Sequence, residues 1–177
     1  PGADDVVWPG DVKIGIGLNS GLCCVGNMGS KQRLSYSLIG DTVNVASRFE
    51  GLTKQYGVDI LIGSALANEL AGFALLELDR VKVVGREAPD TIYALLGDEE
   101  LAGTISHGDL LDAHEVFLGA YRGQDLTAAL QQLDRAQLLY DAEGLSGLAQ
   151  IYRERVTALS TAKLPSDWDG VYQAVSK

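Results

Sequence analysis

The 177 residues predict an α+β fold that gives way to helices, and three observations predict it. Up to about residue 100, short apolar alternations bounded by glycine recur, which is the pattern of strands. One strand-turn-helix passage, Ser35 to Glu50, stands among them. Beyond residue 100 the alternation is replaced by three apolar stripes at helical spacing. Apolar content of 46% and charged content of 21% describe a globular chain. No apolar run approaches the ~20 residues of a membrane helix, and no secretory signal pattern opens the chain. A net charge of −10 argues against a nucleic-acid surface, which needs a basic face. A nucleotide held by a few local cations remains compatible with it.

Taken in order, residues 1–10 read as loop, with Asp4 and Asp5 solvated rather than ligating. Val12 to Leu18 alternates as a strand whose second face carries Gly15 and Gly17, where a backbone or a ligand can approach. Leu22 to Val25 is a second strand. Cys23 and Cys24 point to opposite faces of it, and two free thiols fit a reducing compartment. Gly26-Asn27-Met28-Gly29 reads as a tight turn, and Leu34 to Ile39 as the third strand. Asp41 to about Tyr56 is a helix, with Asp41 as N-cap, Gly57 as its stop, and Val45, Phe49 and Leu52 as its buried stripe. A strand Val58–Ile62, a short helix capped by Ser64, an extended segment Ala74–Val84 and a strand Thr91–Leu96 complete this unit, which Gly97 to Glu100 closes. Leu110 to Tyr121, Leu126 to Tyr140 and Leu145 to Leu159 then form three helices with short connections, and His114 sits at a core edge. They resemble a tetratricopeptide-like hairpin plus one helix, which has to pack on a neighbour. Trp168 and Tyr172 anchor a tail, residues 164–177.

Chemistry concentrates at residues 35–50. Asn44 and Arg48 are four apart and share one helical face near a positive helix end. An amide and a permanently charged guanidinium aimed together suit a phosphorylated ligand. Neither the dinucleotide fingerprint nor a phosphate loop ending in Lys-Ser/Thr is present, and the two cysteines and two histidines lack metal-site spacing.

Three runs, Lys13 to Gly21, Val25 to Ser30 and Tyr36 to Arg48, resemble the class III adenylate and guanylate cyclases, over about residues 11–97. Val81 to Pro89, continuing to Tyr93, resembles the last hairpin of that family. The helices and the Trp168-Asp169-Gly170 ending resemble the extension of bacterial membrane-anchored cyclases with an extracytoplasmic sensor. The resemblance implies the C-terminal half of a ferredoxin-like (split βαβ) cyclase domain over residues 1–100. A tetratricopeptide-like extension over 101–163 and a tail over 164–177 follow it.

It also implies a reaction. The ribose 3′-hydroxyl of a nucleoside triphosphate attacks its own α-phosphorus and expels pyrophosphate, with two divalent ions, Mg²⁺ or Mn²⁺, assisting. By resemblance, Asn44 orients the ribose and Arg48 stabilises the α-phosphate. Ser37 matches the purine-reading position; its hydroxyl both donates and accepts, so it is compatible with adenine and does not exclude guanine, and the resemblance as a whole implies ATP ahead of GTP. The metal aspartates and the purine-reading lysine are expected upstream of this chain. The phosphate-binding lysine falls on Val84, with Lys82 and Arg86 as the nearby cations. The implied protein is a cytoplasmic homodimer, its parent anchored in the inner membrane, with each active site between protomers. Residues 1–177 alone are then expected to be inactive. Two alternatives stay open: a guanylate cyclase, and a degenerate cyclase-homology module that dimerises or binds nucleotide without turnover.

Overall fold

Two glycines set how the first strand meets the first helix in the computed structural model, which describes residues 13–30, 33–82, 88–162, 164–165 and 167–173. Strand β1 (Ile16–Leu18) lies against helix α1 (Asp41–Tyr56). A Cβ at Gly17 would overlap Ala46 O and Glu50 N, and one at Gly15 would overlap Thr53 Oγ1. The strand face expected to admit a backbone or a ligand therefore admits the backbone of α1. Because Gly15 lies by Thr53 while Gly17 lies by Ala46 and Glu50, α1 runs back against β1.

Between these elements, β2 (Cys24–Ser30) and β3 (Arg33–Ile39) form an antiparallel hairpin separate from the main sheet. The expected turn at Gly26–Gly29 is instead strand: Gly26 pairs with Ser37, Asn27 with Tyr36 and Gly29 with Leu34. A full partner ladder outweighs the poor strand preference of glycine. The expected cap of α1 also moves by one position. Gly40 is the N-cap, and Asp41 is the first helical residue, an acid in the first turn. A Cβ at residue 40 would stand 3.2 Å from both Cys23 Cα and Leu22 O, so the segment leading into the hairpin fits closely against the glycine at the cap. Ser64 likewise opens its helix, α2 (Ser64–Glu69), from the first helical position, with Gly63 before it.

The main sheet adds β4 (Ile60–Gly63), β5 (Ala74–Lys82), β6 (Asp90–Gly97) and a strand absent from the sequence expectations, β7 (Tyr172–Gln173). Its order is β1-β4-β6-β5-β7. β4 runs parallel to β1, β6 antiparallel to both β4 and β5, and β7 parallel to β5. A short helix α3 (Glu99–Ala102) follows β6, with the Asp98 carboxylate accepting from Glu100 N and Leu101 N. Together with α4 (Ile105–Arg122), α5 (Leu126–Ala142) and α6 (Ser146–Ser160), this is an α+β fold with a mixed sheet.

The register of β5 shifts between Glu77 and Asp79. Ala74, Leu76 and Leu78 point inward; after the shift Asp79 and Val81 do, leaving Arg80 and Lys82 exposed. The bulge thus turns a carboxylate into the core. Asp79 is fully buried and meets the Arg155 guanidinium from α6 in an ion pair. Tyr56, the last residue of α1, donates its hydroxyl to Asp79 Oδ2 at 2.6 Å. Burial, and then the Asp79 carboxylate, raises the Tyr56 pKa, so the phenol keeps the proton it donates. For Arg155, burial favours the neutral form, but Asp79 and Tyr56 outweigh it and raise the pKa.

A continuous apolar core joins the sheet to the three long helices. Phe49, Tyr56, Leu76 and Leu78 belong to one cluster with Leu110, Phe117, Leu133, Tyr140 and Tyr152. His114, expected at a core edge, is buried within this region. Its Nε2 lies 2.6 Å from the Glu77 carbonyl, and its Nδ1 lies 2.6 Å from the Tyr140 hydroxyl. A carbonyl only accepts, so Nε2 carries the proton and Nδ1 of the neutral ring accepts from Tyr140. The tail is anchored as expected: Trp168 packs edge-on against Tyr121 at 5.2 Å, and Arg155 lies 4.3 Å over the Tyr172 ring.

Burial pulls the His114 pKa down to about 4, although the bond to Glu77 opposes the shift. Between that value and the ordinary 6.5, the unfolded chain binds a proton that the folded chain does not. Stability from this group is complete above pH 6.5 and falls as pH drops toward 4, by about 3 kcal/mol in all. Urea denaturation at pH 7.5 and pH 4.5 should show this loss, and the difference between the two pH values should shrink in His114→Gln.

Candidate functional site

Helix α1 buries Val45, Phe49, Leu52, Thr53 and Tyr56. That stripe leaves Asn44 and Arg48 on the exposed side, one turn apart and facing the same way. Three features hold the start of the helix. The Thr42 hydroxyl donates to Leu22 O at 3.2 Å, Asn19 Nδ2 donates to Thr42 O at 3.3 Å, and Gly40 fits against Cys23. The Phe49 ring lies where a Cβ at Gly63 would stand, 2.9 Å away. The helix is thus seated on β1 and β4 by residues too small to hold it off.

Ser37 is exposed on β3. With Val25, Tyr36, Leu38 and Val43 it lines an open concavity of about 430 Å³ at the entrance to α1. This hollow has apolar walls and the first turn of a helix beside it. Those are the components for holding a flat, partly polar ring next to a phosphorylated group.

Lys82 ends β5 and is exposed. The strand directions place it relative to α1. β1, β4 and β5 all run one way, and α1 runs back against β1. The start of α1, with Asn44 and Arg48, and the end of β5, with Lys82, therefore lie at the same end of the sheet. Lys82 projects on the face opposite Asp79 and Val81. Arg86 and Val84 lie outside the described residues, as do Asp4, Asp5 and the remainder of residues 1–12. Among the described residues no group of three or more His, Cys, Asp or Glu side chains could hold a metal ion. The described residues thus supply hydrogen bonds and cationic charge, and they do not by themselves fit a divalent ion.

The junction behind the site leaves little local signal in the sequence. Asp79, Arg155, Tyr56 and Tyr172 come from β5, α6, α1 and β7. Part of it had a signal: the inward apolar residues of β5 switch from even positions, Leu76 and Leu78, to odd Val81, which marks a bulge. Nothing local pointed to Arg155, because its partner lies 76 positions away.

A family model described as the adenylate and guanylate cyclase catalytic domain matches residues 6–97. An adenylate cyclase of Anabaena cylindrica is 43% identical over 86 residues, covering 46% of this chain and 17% of that protein. Adenylate cyclase 1 of Rhizobium meliloti (strain 1021) is 37% identical, covering 52% of this chain and 14% of that protein. Soluble guanylate cyclase 89Db of Drosophila melanogaster is 36% identical, covering 50% of this chain and 13% of that protein. The chain thus spans less than a fifth of the length of these relatives. A solved bacterial light-regulated adenylyl cyclase aligns at 32% identity and a TM-score of 0.40, covering 46% of this chain and 23% of that one.

The seating of α1 is open to test. A methyl group at Gly17 would meet backbone atoms of α1, whereas one at Gly26 has nothing within 4 Å. Gly17→Ala should lose about 1–3 kcal/mol of stability by forcing α1 off the strand, while Gly26→Ala stays within about 0.5 kcal/mol of the parent. Denaturant midpoints of the two variants check this.

Proposed function

The chain belongs to the adenylate and guanylate cyclase catalytic domain family, whose model covers more than half of it, and from that premise we propose that it carries the C-terminal half of a class III cyclase catalytic domain, over residues 1–100. The protein containing it forms 3′,5′-cyclic AMP and pyrophosphate from ATP. The observation that carries this reading is the pairing of Asn44 with Arg48 on the exposed side of α1, at the sheet end that Lys82 shares.

In the reaction, the ribose 3′-oxygen bonds to the α-phosphorus. The bond from that phosphorus to the oxygen bridging to the β-phosphate breaks. Pyrophosphate leaves with the electron pair, and the hydroxyl proton passes to solvent. Asn44 hydrogen-bonds the ribose and sets the 3′-oxygen in line. Arg48 meets the charge that builds on the α-phosphate oxygens, a preorganised donor of the kind worth about 3 kcal/mol in a barrier. Ser37 reads the purine edge beside the entrance to α1. Lys82 and Arg86 serve the outer phosphates. Magnesium or manganese bound by carboxylates outside this chain would add charge neutralisation and lower the hydroxyl pKa.

The second half of each site comes from another protomer in this reading. Its support is the apolar surface left open: Ile14 is 69% exposed, and Leu34 and Tyr36 on the hairpin are 65% and 76% exposed. Patches of this kind mark interfaces. Residues 101–163 are read as a tetratricopeptide-like extension and 164–177 as its tail. The whole lies in the cytoplasm, the parent being anchored in the inner membrane. Among the described residues no helix is long and apolar enough to cross a membrane.

Val84 favours a second reading, a cyclase-homology module that dimerises or binds nucleotide without turnover, because valine cannot grip a triphosphate. The intact protein, assayed with Mg²⁺ or Mn²⁺ and with ATP and GTP separately, decides between them. Expected are cyclic AMP formation faster than cyclic GMP formation and no product from residues 1–177 alone. Losses in kcat of about 10²–10³-fold are expected in Asn44→Ala and Arg48→Ala. An intact protein that binds ATP without turnover, and gains turnover with Val84→Lys, establishes the second reading instead. Product from residues 1–177 alone refutes the shared site.

A further inference from the structure

Arg155 sits where four elements meet. It pairs with Asp79 of β5, and its Nη2 lies 3.5 Å from the Tyr56 hydroxyl at the end of α1. Its guanidinium carbon lies 4.3 Å from the Tyr172 ring centre of β7 and 5.5 Å from that of Tyr152 on its own helix. Tyr56 and Arg155 both bond to Asp79 Oδ2, so one carboxylate oxygen joins α1, β5 and α6. A planar cation satisfies this arrangement: one edge serves the carboxylate while the flat face stacks on an aromatic ring.

Two of the joined elements carry the proposed site. Asn44 and Arg48 lie on α1, whose far end is Tyr56, about 18 Å from Asn44 at the rise of an α-helix. Lys82 ends β5, three residues beyond Asp79, and pairs there with Gln173 of β7, while Val81 pairs with Tyr172. Gly15, Gly17 and Gly63 seat α1 on the strands but give no directional bond. At its C-terminal end, the side-chain bonds from Tyr56 to Asp79 and Arg155 fix the turn of the helix about its own axis. The tail is locked as well. Gln124 Nε2 bonds the carbonyls of Pro165 and Trp168 at 3.2 Å, and Gly170, at φ +80°, packs on Tyr121 and Arg122.

Resting on the cyclase reading above, we propose that Arg155 is a positioning residue for turnover. Through it, the helices and final strand beyond residue 100 set the axial rotation of α1 and the placement of the end of β5. Displacing a catalytic group by about 1 Å costs on the order of 10²-fold in rate. Arg48 acts on charge that develops in the transition state, so its displacement lowers kcat and leaves KM nearly unchanged.

The test uses the intact protein with ATP, at a temperature well below the melting point of every variant. Arg155→Met should lower kcat about tenfold or more with KM within about threefold. Tyr172→Ala, which removes the stack and keeps the ion pair, should lower kcat about threefold, and Tyr172→Phe should match the parent. A role confined to stability would change melting points and leave kcat per folded molecule at the parent value. A folded Arg155→Met variant with kcat within about twofold of the parent overturns the proposal. Should that variant fail to fold, a Tyr172→Ala variant with parental kcat overturns it. An intact parent that forms no cyclic nucleotide refutes the cyclase reading and this proposal with it, whereas an active parent with indifferent variants refutes this proposal alone.

Discussion

The buried Asp79–Arg155 pair is the constraint around which the molecule closes. A carboxylate with no exposed surface costs several kcal/mol in desolvation unless a cation and hydrogen-bond donors meet it. β5 cannot supply that cation, because the bulge at Leu78 and Asp79 turns the carboxylate away from the strand's own basic residues, Arg80 and Lys82. The cation comes from α6, and the donors are Tyr56 of α1 and the backbone N–H of Arg80. Removing either partner strands the other in the core, which costs about 3–5 kcal/mol. In this protein the pair ties α6 to the sheet.

The apolar core distributes the remaining stability without regard to the boundary near residue 100. Leu76 and Leu78 from the sheet share one cluster with Leu110, Phe117 and Tyr152 from the helices. His114 adds a polar tie, bonding the Glu77 carbonyl of β5 and the Tyr140 hydroxyl of α5. Arg122 of α4 pairs with the Glu77 side chain at 2.6 Å. The sheet face under α1 and the long helices is thus filled from both parts of the chain. The hairpin and the outward side of β1 keep large apolar groups in the open.

Much of the fold was legible because periodicity is local. The stripe Val45, Phe49, Leu52 marked α1, and the stripes of the three long helices marked α4 to α6. The exposed pair Asn44 and Arg48 followed from the same spacing. The misreadings were local in a different sense. Gly26 to Gly29 looked like a turn because glycine favours turns, but the ladder to β3 decided otherwise. Asp41 looked like a cap because Asp favours caps, but the N-cap is Gly40, seated tightly against Leu22 and Cys23, and Asp41 is the first helical residue. In both cases a neighbour distant in sequence overruled an intrinsic preference of a few tenths of a kcal/mol to about 1 kcal/mol.

By itself the sequence determined which faces are apolar, where Asn44 and Arg48 stand on their helix, and the family signature across residues 11–97. These depend on the spacing of neighbouring residues, and spacing is written in the chain. Tertiary structure alone decided that Asp79 faces Arg155, that Tyr172 closes the sheet edge beside Val81, and that the helices share the sheet's core. Those facts depend on which distant groups a buried charge and an unpaired strand edge can reach. Only the folded chain brings residues 79, 155 and 172 within reach of one another.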